Sequence, residues 1–293
     1  MPRPMDAEPG SVRDVLRQVA DQLAEAGILD PAVDAELLVG HVLEASRGRV
    51  QAMAVMDAAI TAEQATRVRA LARRRAAREP LQHLTGLAPF RSLELRVGHG
   101  VFVPRPETEL LAQLAIDALV AAAEPEPIGV DLGTGSGAIA LAMATEVTHA
   151  RVFAVERSPE AFAWAQRNVA ESGATNLQLV QGDLAEAFGD LAGRVAVIAS
   201  NPPYVPDDAI PRDPEVRLFD PPAALYGGED GLDAVRVLSK RARALARPGA
   251  LLAIEHGEYQ GERVRGILAA DGWHATATHR DLTSRERVTT GIR

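Results

Sequence analysis

Residues 128–145 read IGVDLGTGSGAIALAMAT. An apolar strand-like run, IGVDL, leads into a glycine loop, and the loop leads into a run of small apolar residues that suits a buried helix. Strand, Gly-x-Gly-x-Gly turn and helix in that order open a parallel α/β sheet. Gly133, Gly135 and Gly137 let the chain turn sharply and let a ligand come close to the backbone. The helix start adds N–H groups that have no partner within the helix. Gly133, Thr134, Gly135, Ser136 and Gly137 are therefore candidate cofactor-binding residues. GTGSGA also fits G-x-G-x-x-A, a dinucleotide-type pattern, so the loop alone leaves the cofactor open.

Downstream, strand and helix patterns alternate. RVFAVE (151–156), NLQLVQ (176–181) and VAVIAS (195–200) read as the second to fourth strands, and ALLAIE (250–255), after a turn at Pro248-Gly249, as the fifth. Helical stretches such as AFAWAQRNVAES lie between most of them, which implies a parallel sheet covered on both faces. Two more strand-like stretches lie between Trp273 and Ile292, giving seven strands.

The fourth strand runs into Asn201-Pro202-Pro203-Tyr204. Asn201 offers a side-chain carbonyl as acceptor. The prolines fix φ and cannot donate, so the Pro202 carbonyl is held in place and available. Tyr204 adds an aromatic face for a flat group. Together they suit a planar NH2 group, an amide or an exocyclic amine. A polar Pro-rich turn after a strand is the plainer alternative for the tetrapeptide taken alone.

Two acids complete the pattern. Glu156 ends the second strand, where a carboxylate takes ribose hydroxyls. Asp183, with Leu184, follows the third strand, where a carboxylate can meet an adenine amino group, although a turn or cap aspartate reads the same. A glycine loop, Glu156, Asp183 and NPPY fall in order on one edge of one sheet. This arrangement looks like a class I S-adenosylmethionine-dependent methyltransferase, a Rossmann-like fold. A nicotinamide cofactor gives no reason for NPPY.

Upstream, residues 1–80 read as a small helical bundle. Ser11 with Asp14 resembles a capping box before VLRQVADQLAEA, and Gly27 can end that helix. Asp30-Pro31 starts a second helix, residues 50–59 a third, and Thr61 with Gln64 a fourth that runs to Glu79 before Pro80. Residues 81–103 read as a β-hairpin linker, with Leu93–Val97 alternating apolar and polar, and residues 104–293 as the catalytic domain. Within it, the segment after Pro106 is a further helix.

The net charge of −9 argues against a protein built to grip bulk nucleic acid. The chain has no cysteine, which excludes disulfides and thiolate-bound zinc. The histidines are scattered, with no H-E-x-x-H spacing, so no metal site is expected. No apolar stretch is long enough to span a bilayer, and the opening MPRPMDAEPG lacks the apolar core of a leader. A cytoplasmic protein is the expectation.

From about Arg78 onward the sequence resembles the HemK/PrmC family of protein glutamine-N5 methyltransferases. REPLQHLTG (78–86), VPRPETE (103–109), DLGTGSGAIALA, SNPPYV, GGEDGL (227–232), IEHG (254–257) and Asp281-Leu282 with Arg285 or Arg287 carry the resemblance. Glu156 stands where that family usually has Asp, Asp220 where Glu is usual, and His256 at a usually small or apolar position, with no role attached to it. The resemblance implies S-adenosylmethionine as cofactor, held by Gly133 to Gly137, Glu156, Asp183, Leu184 and Asn201. It also implies a class-1 peptide chain release factor as partner, methylated on the glutamine of its Gly-Gly-Gln motif by a monomer. Asn201, Pro202 and Tyr204 are the implied catalytic residues, and Asn201, Pro202, Pro203 and Tyr204 the substrate cup. Adenine-N6 and cytosine-N4 methyltransferases use similar tetrapeptides, and a methyltransferase acting on a ribosomal-protein glutamine shares much of the pattern. PRPETE and GGEDGL favour the release factor reading.

Arg67, Arg69, Arg73, Arg74, Arg75 and Arg78 form a basic stretch. A solvated helix face is the favoured reading, contact with a release factor or ribosomal RNA the alternative. Arg105 and Glu107 are expected at the cofactor cleft by resemblance. Phe102 suits either the cleft or the core, and Trp164 reads as core.

Overall fold

The structure, a computed structural model, describes residues 10–293. The first nine residues of the expected bundle, and with them most of the opening read as lacking a leader, lie outside it. The chain forms two compact units, one running to Gly86 and including residues 212–219, the other holding residues 87–211 and 220–293.

In the first unit, β1 (Gly10–Ser11) leads into α1 (Val12–Glu25), followed by α2 (Pro31–Leu43) and α3 (Arg47–Val55). Then come β2 (Ala59–Ile60), α4 (Ala62–Ala76) and α5 (Leu81–Thr85). Ser11 accepts from the Asp14 N–H at 3.2 Å, and Thr61 and Gln64 form a reciprocal capping box. Val15, Val19 and Leu23 recur at helical spacing and pack with Leu38, Val39, Val50 and Val68 in one core.

Three local readings change. The third helix ends at Val55, and Ala59–Ile60 pairs antiparallel with Gly10–Ser11. The fourth helix stops at Ala76, not Glu79, and Arg78 turns to φ +71° before Pro80. Residues 81–85 are a helix, closed by Gly86 at φ +74°, and the hairpin proper is β3 (Leu87–Phe90) with β4 (Leu93–Arg96).

The basic stretch divides. Arg67, Arg69, Arg73 and Arg74 are exposed, whereas Arg75 is buried. Its guanidinium bonds Asp34 at 2.6 Å and Glu215 at 2.7 Å, and donates to the Glu79 carbonyl at 3.1 Å. One buried cation thus serves two largely buried carboxylates. Arg75→Met should therefore lower unfolding free energy by about 3–5 kcal/mol, because it strands Asp34 and leaves Glu215 only the more distant Arg78 at 3.8 Å. Urea denaturation of the full chain checks this.

The second unit continues with α6 (Thr108–Val120), β5 (Ile128–Leu132), α7 (Ala138–Glu146) and β6 (Arg151–Glu156). Next are α8 (Pro159–Ser172), β7 (Leu177–Gln181) and β8 (Val195–Ser200). Residues 214–219, the helix α9 (Pro214–Phe219), belong to the first unit; α10 (Pro222–Leu225), α11 (Asp233–Leu245) and β9 (Ala246–Glu255) follow. The chain closes with α12 (Gly261–Ala270), β10 (His274–Arg280) and β11 (Glu286–Ile292). Seven strands form one sheet in the order β10-β11-β9-β8-β5-β6-β7. The five from β9 to β7 are parallel, and β11 runs antiparallel to both neighbours.

Two apolar clusters cover the sheet. One gathers α6, α7 and the hairpin around Leu111, Leu119, Leu141 and Met143. The other gathers α11 and α12 around Leu238, Leu245, Leu268 and Trp273. The expected turn at Pro248-Gly249 lies inside β9, where the register with β8 shifts between Val195 and Val197. A local irregularity absorbs the proline without ending the strand. The hairpin is tied to its own unit by Asn168, which accepts from the Arg96 N–H at 2.7 Å and donates to the Arg96 carbonyl at 3.0 Å. Chain order reverses between β5 and β8, which opens a crevice at their carboxyl ends.

Candidate active site

Strand register places the site. Asp131 pairs with Ala199, Leu132 with Val155, Glu156 with Gln181, and Ser200 with Ile254. One step further along each strand, Gly133, Asn201 and Glu255 stand level across neighbouring strands, with Glu156 beside Gly133. The sequence motifs thus form a single row on the carboxyl edge, with neighbouring strands about 4.8 Å apart. Ser200 Oγ donates to the Leu132 carbonyl at 2.5 Å and locks the two central strands together where the row begins.

The glycine loop is built for backbone exposure. Gly133, Gly135 and Gly137 all have positive φ, and a Cβ at Gly133 or Gly135 would meet no protein atom within 4 Å. That open space is where a ligand can lie against the loop. Thr134 and Ser136 are buried and face inward: Thr134 Oγ1 donates to Asp131 at 2.5 Å, and the Ser136 carbonyl accepts from Asn168 at 2.8 Å. The Thr134 side chain and the Ser136 backbone brace the loop. Burial pushes the Asp131 carboxyl up to about 7, against the hydrogen bonds it accepts from Thr134 and Ala140.

Glu156 accepts from the Gly135 N–H at 2.9 Å and the Ser158 N–H at 2.7 Å, which joins the acid ending β6 to the loop. Asp183 makes the turn contact that its plainer reading expects, accepting from the Ala185 N–H at 2.9 Å; its other oxygen lies 3.9 Å from Arg157. Leu184 packs against the apolar cluster beneath.

The NPPY turn is held from behind and from the side. Pro202 is buried, and Asn201, Pro203 and Tyr204 are partly buried. Asn201 Nδ2 donates to Thr108 Oγ1 at 3.3 Å. The Tyr204 carbonyl accepts from Gln260 Nε2 at 3.0 Å, and Gln260 Oε1 accepts from the Gly257 N–H at 2.8 Å. GGEDGL packs on the same turn: Gly227 N–H donates to the Val205 carbonyl at 2.9 Å. A Cβ at Gly227 would come within 2.5 Å of the Pro203 carbonyl, and one at Gly231 would strike the Tyr204 carbonyl. These glycines let two backbones touch. Burial, with Glu255 and Glu107 nearby, raises the Tyr204 phenol, which stays protonated.

Arg105 bonds the buried Asp220 at 2.6 Å and lies 4.9 Å over the Phe102 ring. It therefore fastens PRPETE to the segment before Pro221. Trp164 is partly buried, donates to the His99 carbonyl at 3.0 Å and packs beside Val97, Val101 and Val103. His256 is buried between the Gly257 carbonyl and Thr289 Oγ1, at 2.9 Å and 2.8 Å, and burial lowers its pKa. The residue that sequence reading left without a role is Glu255. It is buried, its Oε2 has no hydrogen-bond partner among the described residues, and burial pushes it up to about 7. An acid ending a buried strand is the same signal that marked Glu156.

Comparison with known proteins adds to this geometry. The family description "PrmC N-terminal domain" matches residues 14–86, and "Methyltransferase small domain" matches residues 96–221. A release factor glutamine methyltransferase of Streptomyces coelicolor is 47% identical over 275 residues, covering 93% of this chain and 95% of that protein. A 4-amino-L-phenylalanine/4-methylamino-L-phenylalanine methyltransferase of Streptomyces pristinaespiralis is 35% identical over 281 residues, covering 94% and 93%. Among solved structures, the hMettl16 catalytic domain in complex with the MAT2A 3'UTR hairpin 6 superposes with a TM-score of 0.54 at 14% identity. It covers 67% of this chain and 75% of that one, and speaks to the fold alone. The cradle above Gly133 and Gly135, with carboxylates along the same edge, fits S-adenosylmethionine, the cofactor of these methyltransferases. By near full-length similarity as well as by the row of groups on its sheet edge, the chain belongs to the family of release factor glutamine methyltransferases.

Proposed function

We propose that this methyltransferase modifies the side-chain amide nitrogen of the glutamine in the Gly-Gly-Gln motif of class-1 release factors, acting as a cytoplasmic monomer on protein and not on nucleic acid. The observation that carries the reading is Asn201-Pro202-Pro203-Tyr204 held level with an open glycine loop, in a chain similar to the Streptomyces coelicolor enzyme over almost all its length. The net charge of −9 fits a protein partner better than a bare phosphate backbone. Among the described residues no helix is long and apolar enough to cross a membrane.

When bound, S-adenosylmethionine supplies an electrophilic methyl group. Gly133 to Gly137 would hold it through the backbone, with Glu156 toward its ribose hydroxyls and Asp183 and Leu184 toward its adenine. A glutamine carboxamide is a poor nucleophile because its nitrogen lone pair is delocalised into the carbonyl. The work left to the protein is orientation. Asn201 Oδ1 and the Pro202 carbonyl accept the two amide N–H bonds, and Tyr204 stacks on the amide plane. As positive charge grows on nitrogen, both acceptors bind it more tightly than they bind the ground state. Positioning of this kind supplies on the order of 7–11 kcal/mol in favourable systems. No strong base is needed to begin the transfer.

The test offers labelled methyl donor with a release factor, a ribosomal protein, duplex DNA and 4-amino-L-phenylalanine in parallel. Label is expected in the release factor and absent when its Gly-Gly-Gln glutamine is replaced by alanine. Preferential labelling of any other acceptor overturns the assignment.

A further inference from the structure

Behind Asn201 lies an acid to which no role has been assigned. Glu255 ends β9, the strand beside β8, and register sets it level with Asn201. It is 1% exposed, its Oε2 has no hydrogen-bond partner among the described residues, and Thr108 and Asn201 are close enough to hold its pKa down. The Asn201 amide nitrogen donates to Thr108 Oγ1 at 3.3 Å, which leaves the Thr108 hydroxyl hydrogen free to point at the carboxylate. The donors therefore run in one direction, from Asn201 through Thr108 to Glu255.

We infer that Glu255 is a positioning residue that fixes which way the Asn201 amide faces. An asparagine side chain can flip by half a turn with almost no change in shape, so its neighbours decide its orientation. With an anion behind it, the NH2 end turns inward. The flipped form would press Oδ1 against a carboxylate and leave a buried acceptor without a donor. Oδ1 is thereby turned away from Glu255, toward the side on which a substrate N–H arrives. The same negative charge, one residue behind the reacting nitrogen, favours the cation that forms there. The inference rests on the Asn201 clamp proposed above, and the experiment separates the two.

Charge on Glu255 depends on pH. Burial raises its pKa to about 7, Glu107 adds to the rise, and Thr108, Arg287 and Asn201 oppose it; the nearby Tyr204 phenol stays protonated. The carboxylate forms as pH rises through this range, so turnover should rise with it.

Glu255→Gln keeps the shape and removes the anion. It should lower kcat about 10- to 100-fold, the scale of a misaligned reacting group. KM for S-adenosylmethionine should stay within about two-fold. The acid limb of the wild-type kcat profile, read between about pH 5.5 and pH 8, should be absent from the variant. Wild-type kcat in Glu255→Gln beside an inactive Asn201→Ala overturns the inference and leaves the clamp standing. An active Asn201→Ala removes the clamp itself. An acid limb that persists unchanged in Glu255→Gln belongs to another group, such as Asp131, and also overturns it. Should Glu255→Gln lose cofactor binding through misfolding, Thr108 decides. Thr108→Ser should keep turnover and Thr108→Val should lose it, and equal rates in the two overturn the relay.

Discussion

Asn201→Ala is expected to lower methyl transfer to the release factor by about 10³-fold or more, the scale of losing a preorganised dipole at a developing charge. S-adenosylmethionine should still bind. The asymmetry follows from the row of groups on the sheet edge. The proposed cofactor residues lie mainly on the loop at Gly133 to Gly137 and at Glu156, Asp183 and Leu184, so the loss of Asn201 removes one proposed cofactor neighbour and leaves the rest. Transfer depends on two acceptors aiming one nitrogen, and the alanine removes one of them. The Pro202 carbonyl then holds the amide by one N–H, free to rotate about it. Single-turnover kinetics with labelled donor, beside calorimetric titration of the cofactor, makes the measurement. Normal turnover by this variant would mean that something other than the NPPY turn orients the acceptor.

Gly135→Val should produce the opposite pattern, with cofactor affinity falling by about 100-fold or more, roughly 2.7 kcal/mol of binding free energy. Gly135 has φ +58°, and the direction in which a Cβ would project is free of protein atoms within 4 Å. The valine Cβ would enter the volume proposed for the ligand without meeting the protein. A β-branched residue at positive φ also strains the loop. A thermal melt separates a local effect from unfolding. Unchanged affinity in a folded Gly135→Val protein would show that the cofactor does not lie against this loop.

The parts of this molecule that were readable in the sequence are those whose signals are local. VAVIAS and RVFAVE are apolar runs bounded by polar turns, and the structure gives strands with those limits. The two capping residues Ser11 and Thr61 start helices where their side chains predict. What was not readable depends on partners distant along the chain. Ala59–Ile60 is a strand because Gly10–Ser11 lies beside it. Arg75 sits in a row of arginines and differs from them in reaching both Asp34 and Glu215. Thr108 opens a helix and reads as an ordinary first-turn residue, yet its hydroxyl oxygen accepts from Asn201 across 93 residues of chain. For Glu255 the local signal was present, an acid closing a buried strand. Its meaning appears only when β9 is laid beside β8 in register.

That alignment ties catalysis to the fidelity of folding. The groups that do the work stand on short turns directly beyond the ends of separate strands, so strand pairing sets one against another. Were β8 to pair with β5 two residues out of place, its buried face would still be buried, yet Asn201 would sit about 6.6 Å along the strand from the cofactor loop. Such a molecule would melt cooperatively and present a normal helical spectrum while transferring nothing. Specific activity measured per mole of folded chain is therefore a direct assay of correct strand pairing. A refolded preparation that regains its spectrum ahead of its turnover is one in which the central strands have met but not yet matched.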